Sequence, residues 1–376
     1  MTRAASALAI VLGVIITCGG SALAGAQQVT PATPDSTKPR ITVGGFVDAY
    51  YAYDANAPAT LDRAFTTQAA RHNEFNVNLA FIDATLAAPR ARGRFAAQFG
   101  TSVQANYAAE PRLGTLSGPD VSRYIQEAFG GYRVAPAVWI DAGIFFSPFG
   151  SENWISRDNW TYTRSLIADN SPYYEAGVRA TWQATPALGV QVHIINGWQN
   201  VSESNGSKAV GVRLDYAPSP RVALAYDGFL GNEAPDSVPR RLRAWQEGIV
   251  TLRLARQWQV RGTLDYGTQR RADSAGAAPW RGFAVLARYE HSPRLAASAR
   301  VEGYSDPEQV IVTTGPDVGL RATGSSFTVD VTPEPYLTWR TEARLLRARD
   351  AIFPVGRSTA PGRSDAVVLT AMLLTL

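Results

Sequence analysis

Cysteine is almost missing from this chain. Its one thiol, Cys18, lies in an N-terminal apolar stretch, so the remainder cannot build a disulfide, a cysteine-ligated zinc site or a thiolate nucleophile. Histidine is nearly as scarce: His72, His193 and His291 show no metal-ligand spacing, and neither HExxH nor the GxSxG elbow occurs. Hydrolytic chemistry and a metal centre therefore have no motif to rest on, and no cofactor is expected. Charged residues make up 18%, against about 25% in ordinary soluble proteins. Lysine is reduced to Lys38 and Lys208, and the net charge of +4 is spread along the chain rather than gathered in a tail or helix, which argues against nucleic-acid binding. Long apolar runs are lacking too. The one continuous run, Ala4 to Thr17, is too short to cross a bilayer as a helix.

What is present begins with an export signal. Arg3 precedes the apolar segment, and Ala22-Leu23-Ala24 or Ala24-Gly25-Ala26 follows as a small-residue cleavage pattern, so residues 1–26 read as a signal peptide with a mature start at Gly25 or Gln27. Residues 27–40, rich in Pro and Thr, read as a flexible lead-in on the exported side.

From Ile41 onward the apolar residues recur with period two, the strand period, and no helical spacing is sustained. In Trp258 to Tyr266, Trp258, Val260, Gly262, Leu264 and Tyr266 share one face and Gln259, Arg261, Thr263 and Asp265 the other. Leu295 to Gly303 and Leu337 to Leu345 repeat the pattern, with one face apolar and the other carrying charges of both signs. About 16 such segments are spaced along residues 41–376, including one over 92–105 and one over 281–291. Short turns, marked by Pro89, Pro136, Pro186, Pro220, Arg256, Pro293 and Pro335, alternate with longer polar loops, the longest spanning 148–172. The pattern is that of an up-and-down meander with both termini on the turn side.

A soluble sheet would bury its apolar face and expose modest polar groups, whereas here full charges of opposite sign face each other across the interior. A closed antiparallel transmembrane β-barrel accommodates this, because lipid covers the apolar face, water meets the charged one and closure leaves no unpaired edge. Aromatic residues agree. On the apolar faces Tyr51, Tyr53, Tyr266 and Phe283 fall at the loop end, and Tyr132, Trp182, Tyr216, Trp258, Tyr289 and Trp339 at the turn end, as two interfacial girdles require.

The runs Gly143 to Glu152, Tyr162 to Leu166, Pro172 to Trp182, Asn196-Gly197-Trp198 and Arg340 to Arg344 resemble the OmpL-like β-barrel porins of bacterial outer membranes over about residues 41–376. The resemblance implies an outer-membrane, porin-type channel. Strand number points the same way, since a sixteen-strand barrel is wide enough to hold an aqueous lumen, while about eight strands are filled by their own side chains. The expected function is passive diffusion of small polar solutes and ions. A substrate-specific channel is the alternative, and a barrel hydrolase a more distant one.

Taking the non-apolar parity as inward, the wall carries Arg94, Arg133, Arg179, Arg213, Arg253, Arg261, Arg288, Arg300, Arg340 and Arg344 against Glu127, Asp141, Glu175, Asp215, Asp227, Asp265, Glu290, Glu302 and Glu342. Most are expected to pair across strands, His193 with Glu175 among them. The resemblance puts an inward fold on loop 148–172. Its Trp154, Ile155, Trp160, Tyr162, Leu166 and Ile167 are expected to pack on the inner wall, leaving Glu152, Arg157, Asp158, Arg164 and Asp169 to project into a constriction. At the loop rim, Arg240, Arg241, Arg243, Arg270, Arg271, Arg347 and Arg349 are expected to meet lipopolysaccharide phosphates. Expected partners are thus outer-membrane lipid, lipopolysaccharide, small polar solutes and further copies of the chain in a homo-oligomer.

Overall fold

A computed structural model describes residues 38–272, 276–315 and 318–376. The signal peptide and most of the lead-in expected from the sequence lie outside the described residues.

Sixteen strands form one sheet closed on itself. They are β1 (Arg40–Asp54), β2 (Phe75–Ala87), β3 (Ala91–Phe99), β4 (Ile125–Ala135), β5 (Val138–Phe146), β6 (Tyr174–Thr185), β7 (Leu188–Ile195) and β8 (Ala209–Ser219). The second half comprises β9 (Val222–Asn232), β10 (Leu242–Arg253), β11 (Trp258–Arg270), β12 (Ala277–Ser292), β13 (Leu295–Asp306), β14 (Leu320–Glu334), β15 (Leu337–Ala348) and β16 (Ser364–Thr375). Each strand pairs antiparallel with its sequence neighbours, and β1 closes the barrel on β16 through pairs from Phe46 with Thr375 to Asp54 with Val367. With no free edge, every ladder hydrogen bond is made within the wall, the condition a hydrocarbon environment imposes.

The turn end is built by proline. Pro136, Pro186, Pro220, Pro293 and Pro335 each open a two-residue connection, bracketed by Ala135 with Val138, Thr185 with Leu188, Ser219 with Val222, Ser292 with Leu295 and Glu334 with Leu337. Proline presets φ at the second position of a tight turn. The register shift beside each of these turns is a bulge that takes up the extra residue.

The outward parity is as the alternation predicts. Leu264, Trp339, Trp258, Tyr266, Tyr132, Trp182 and Tyr53 are all exposed on the outer surface. One segment departs from the reading. The strand expected over 92–105 ends at Phe99, and Thr101–Asn106 forms a short helix, α1, inside the mouth. Gly100 makes the break: its φ is 141°, and a Cβ there would stand 2.3 Å from the Asn78 carbonyl oxygen, so no other residue lets the chain leave the ladder at this point. Two further short helices, α2 (Pro119–Ser122) and α3 (Leu166–Asp169), also lie in loop segments.

Candidate functional site: the lumen and its loop

The interior is occupied by the segment between β5 and β6, residues 147–173. Its apolar side chains enter two buried clusters on the inner wall. Trp154, Ile155 and Tyr162 join Phe46, Tyr50, Leu79 and Leu373, while Leu166 and Ile167 join Phe145, Trp245, Trp280 and Leu286. Trp160 lies beneath the Arg261 guanidinium, 4.5 Å from its ring centre. Leaving water favours these contacts by about 25 cal/mol per Å² of apolar surface.

Polar anchors fix the path. At the loop's start Arg213 donates to the carbonyl of Pro148 at 2.7 Å, Asp227 accepts the Gly150 N–H at 3.1 Å, and Arg261 donates to the Ser151 carbonyl at 2.6 Å. Further along, Arg340 donates to the Ser156 carbonyl at 2.6 Å, and Asp48 accepts the Ser156 hydroxyl at 2.6 Å and the Tyr162 hydroxyl at 2.9 Å. Glu342 accepts the N–H groups of Tyr162 and Thr163 and the Thr163 hydroxyl. Arg300 donates to the Thr163 carbonyl at 2.6 Å, and Glu302 accepts the Leu166 N–H at 2.6 Å. The loop thus meets the wall from β8 and β9 through β11, β13 and β15 to β1.

The wall charges form chains beneath it. Arg300 lies 3.5 Å from Glu152, 3.2 Å from Glu302 and 3.7 Å from Glu342, with Arg344 also on Glu302 at 2.9 Å. Arg340 and Arg288 share Asp330 at 2.6 and 2.9 Å, and Arg92 and Arg179 share Asp141, each at 2.7 Å. Arg213 pairs Asp227 and Asp215, and Arg94 bridges Asp83 and Glu127. Arg fits such sharing because its planar fork donates in several directions. Asp265 accepts from the Trp245 indole at 3.3 Å, and Arg133 stays at the turn, donating to the Pro136 carbonyl at 2.9 Å.

Of the five residues expected to project into the constriction, Arg157 and Asp158 are exposed, on a one-turn 3₁₀ helix. Arg157 donates to Thr375 Oγ1 at 2.8 Å, pairs Asp158 at 3.0 Å and lies over the Phe46 ring. Glu152 and Arg164 are instead buried between loop and wall. Glu152 accepts from the Ser165 N–H and hydroxyl, and Arg164 donates to the carbonyls of Asn153 and Trp154 while its guanidinium lies 4.0 Å from the Tyr173 ring centre. Asp169 accepts from Thr67 Oγ1 at 2.6 Å, under the first long loop. Burial raises the carboxyls of Glu152 and Asp169 above their ordinary range, against the pull of Arg300 on the first and Arg164 on the second.

Two further expectations need correction. His193 does not pair with Glu175: its cross-strand partners are Arg179 and Gly211, and it sits buried, its ring centre 6.0 Å from those of Phe145 and Phe149, with neither ring nitrogen bonded among the described residues. Glu175 is likewise buried and, among the described residues, has no hydrogen-bond partner. Arg243 is not on the outer rim but points inward, donating to Gln269 and stacking over Trp198 and Trp280. Of the other rim arginines, Arg240, Arg270, Arg347 and Arg349 are exposed, and Arg271 pairs with Glu308. Sequence reading also missed Asp48 as an anchor. Its signal was available, an acid at inward parity between Phe46 and Tyr50.

Solved structures with the same fold include an anion-selective porin from Comamonas acidovorans, with TM-score 0.59, 10% identity, and coverage of 90% of this chain and 100% of that one. The outer-membrane channel DcaP of Acinetobacter baumannii gives TM-score 0.60 and 12% identity, covering 91% and 99%. The trimer form of the outer-membrane protein OmpT of Vibrio cholerae gives 0.55 and 7%, covering 90% and 99%. No curated protein matches the chain in sequence. The family model described as "Putative beta-barrel porin-2, OmpL-like" matches residues 40–376, the whole barrel. The chain belongs to this OmpL-like β-barrel porin family and is an outer-membrane channel for passive diffusion.

Proposed function

We propose that the channel is a general porin for small polar solutes and ions, narrowed by loop 148–172, with Arg157 and Asp158 presenting the charge that solutes meet. The observation that carries this reading is the contrast along one loop: its flanks are buried and bonded to the wall, while Arg157 and Asp158 are exposed. Glu152, Arg164 and Asp169 then act as fasteners that hold the constriction rather than as its lining. Arg300, Glu302, Arg340, Glu342 and Arg344 serve the same end from the wall side, and Arg94, Arg133 and Asp215, which are less buried, face the passage. Arg157 and Asp158, paired at 3.0 Å, form a local dipole that orients polar solutes and carries little net charge, which gives weak net ion selectivity. No catalytic role is part of this reading. A second copy of the chain is a proposed partner, supported by the trimer form recorded for the Vibrio cholerae neighbour.

Liposome swelling and reversal potentials in planar bilayers test the proposal together. Swelling rates that fall smoothly with solute size, with a small reversal potential, are expected. Saturable flux of one solute class would instead identify a substrate-specific channel.

A further inference from the structure

On the outer surface, at the loop end of β11 to β15, lies a groove of about 740 Å³. Cross-strand register sets one row of outward residues there, Tyr266, Arg281, Ser305 and Arg321, with Arg349 bonded to Arg321 through the backbone. The row beneath runs Leu264, Phe283, Gly303, Thr323 and Arg347. The groove's floor is apolar: Gly303 lacks a side chain and the Phe283 ring lies across it, where a Cβ would come within 2.5 Å of that ring.

Four arginines, Arg281, Arg321, Arg347 and Arg349, line this one groove. Among the described residues none of the four makes an ion pair or a side-chain hydrogen bond, in a molecule where the inward arginines are almost all paired. Asp265 borders the groove, but its side chain, like those of the other acids at this end of the strands, is turned inward. Asp265, Glu302 and Asp306 are buried and bonded inward, to Trp245, to the Leu166 N–H and to the N–H groups of Val310, Ile311 and Val312. Arginine on the lipid-facing wall is tolerated near the interface but not at midplane, and four unpaired like charges in one groove repel each other unless an anion joins them.

From this charge complementarity and the apolar floor we infer that the groove binds a phosphorylated lipid of the outer leaflet, lipopolysaccharide, through its lipid A portion. The guanidiniums take the phosphates, for which their fork geometry suits bidentate contact. An acyl chain lies over Phe283 and Gly303. The inference rests on the outer-membrane location of the barrel, not on the proposed constriction.

The test uses the full purified chain in detergent, titrated with bisphosphorylated lipid A, with the same lipid stripped of phosphate, and with inorganic phosphate. Bisphosphorylated lipid A should bind at least tenfold more tightly than either of the others. The R321A/R347A/R349A variant should lose about a hundredfold in affinity, each surface arginine contributing on the order of a fivefold factor. The corresponding triple lysine variant should stay within tenfold of the parent. Single-channel conductance and heat-modifiable electrophoretic migration report that each barrel has assembled. Should the alanine variant not assemble, Thr323→Trp fills the groove with the arginines intact and should weaken lipid A binding tenfold or more. Unchanged binding in the assembled variants overturns the inference. So does inorganic phosphate binding as tightly as lipid A, or crosslinking from Thr323→Cys that captures a second copy of the chain on this face in the presence of lipid A. Any of these results can occur with conductance intact, so failure here is separate from failure of the channel reading.

Discussion

Replacing Glu342 by alanine tests whether the inner wall holds the loop in the lumen. The carboxylate accepts the N–H groups of Tyr162 and Thr163 and the hydroxyls of Thr163 and Thr328, and it stands 3.7 Å from Arg300. All of these groups are buried, so truncation strands the donors where no bulk water replaces the lost partner. Removing one member of a buried charged pair costs about 3–5 kcal/mol. Individual hydrogen bonds to a charged group are each worth about 1.5–3 kcal/mol and do not add within one network. The backbone pairing of residue 342 with Thr328 and Leu369 is untouched, so the loss falls on the contact between loop and wall rather than on the barrel. A loss of about 3 kcal/mol raises the local opening constant by roughly a hundredfold. Anchors at Pro148, Gly150, Ser151 and Ser156 survive, as do Asp48 on Tyr162, Arg300 on Thr163 and Glu302 on Leu166, so the stretch around 161–166 is loosened at one anchor and the loop is not released. In planar bilayers E342A should show noisier openings and a modestly higher conductance, with heat-modifiable migration like the parent's. E342Q keeps an oxygen acceptor and should fall between the two. An E342A barrel that assembles yet conducts with the parent's level and noise refutes the reasoning.

Shortening residues 153–165 to a Gly-Ser link removes Trp154, Tyr162 and Arg157 together and should raise single-channel conductance several-fold; a parental conductance would take the constriction away from this loop. Arg157→Glu should move the reversal potential toward cation selectivity while conductance stays within about a factor of two, and Asp158→Arg should move it the opposite way, both read in a salt gradient. Val285, exposed on the outer face midway along β12, should cost about 2–4 kcal/mol when replaced by Arg, measured by urea titration of folding into vesicles; a change below about 0.5 kcal/mol would mean this face does not meet lipid.

Alternation by itself determined the architecture. A period of two over sixteen segments, with turns at Pro136, Pro186, Pro220, Pro293 and Pro335, leaves little choice: an apolar face on one side of every strand has to meet lipid, and in lipid the sheet has to close. It also settled which residues look outward, Leu264, Tyr266, Trp258 and Trp339 among them. Parity could not say whether an inward residue meets water or folded chain. Glu342 and Arg300 read from the sequence as charges lining a passage. The structure buries them because Tyr162, Thr163 and Thr161, more than a hundred residues away, supply the groups they bond. Trp245 and Trp280 share the inward face with those charges, stable there because Leu166, Ile167 and Phe149 cover them. The same limit explains Arg243, which lies at the loop end where strand direction alone does not separate an outer rim from an inner mouth; Trp198 and Trp280 draw it inward. His193 and Glu175 were brought together by inward parity on adjacent strands, but pairing depends on register, and register puts His193 opposite Arg179. Segment 101–106 alternated like a strand, yet the left-handed turn at Gly100 directs it into the mouth as a helix against β2. Local pattern decides period and face because each residue carries that information alone; burial, pairing and the path of the loop are properties of contacts between distant residues, and only the closed barrel brings those residues together.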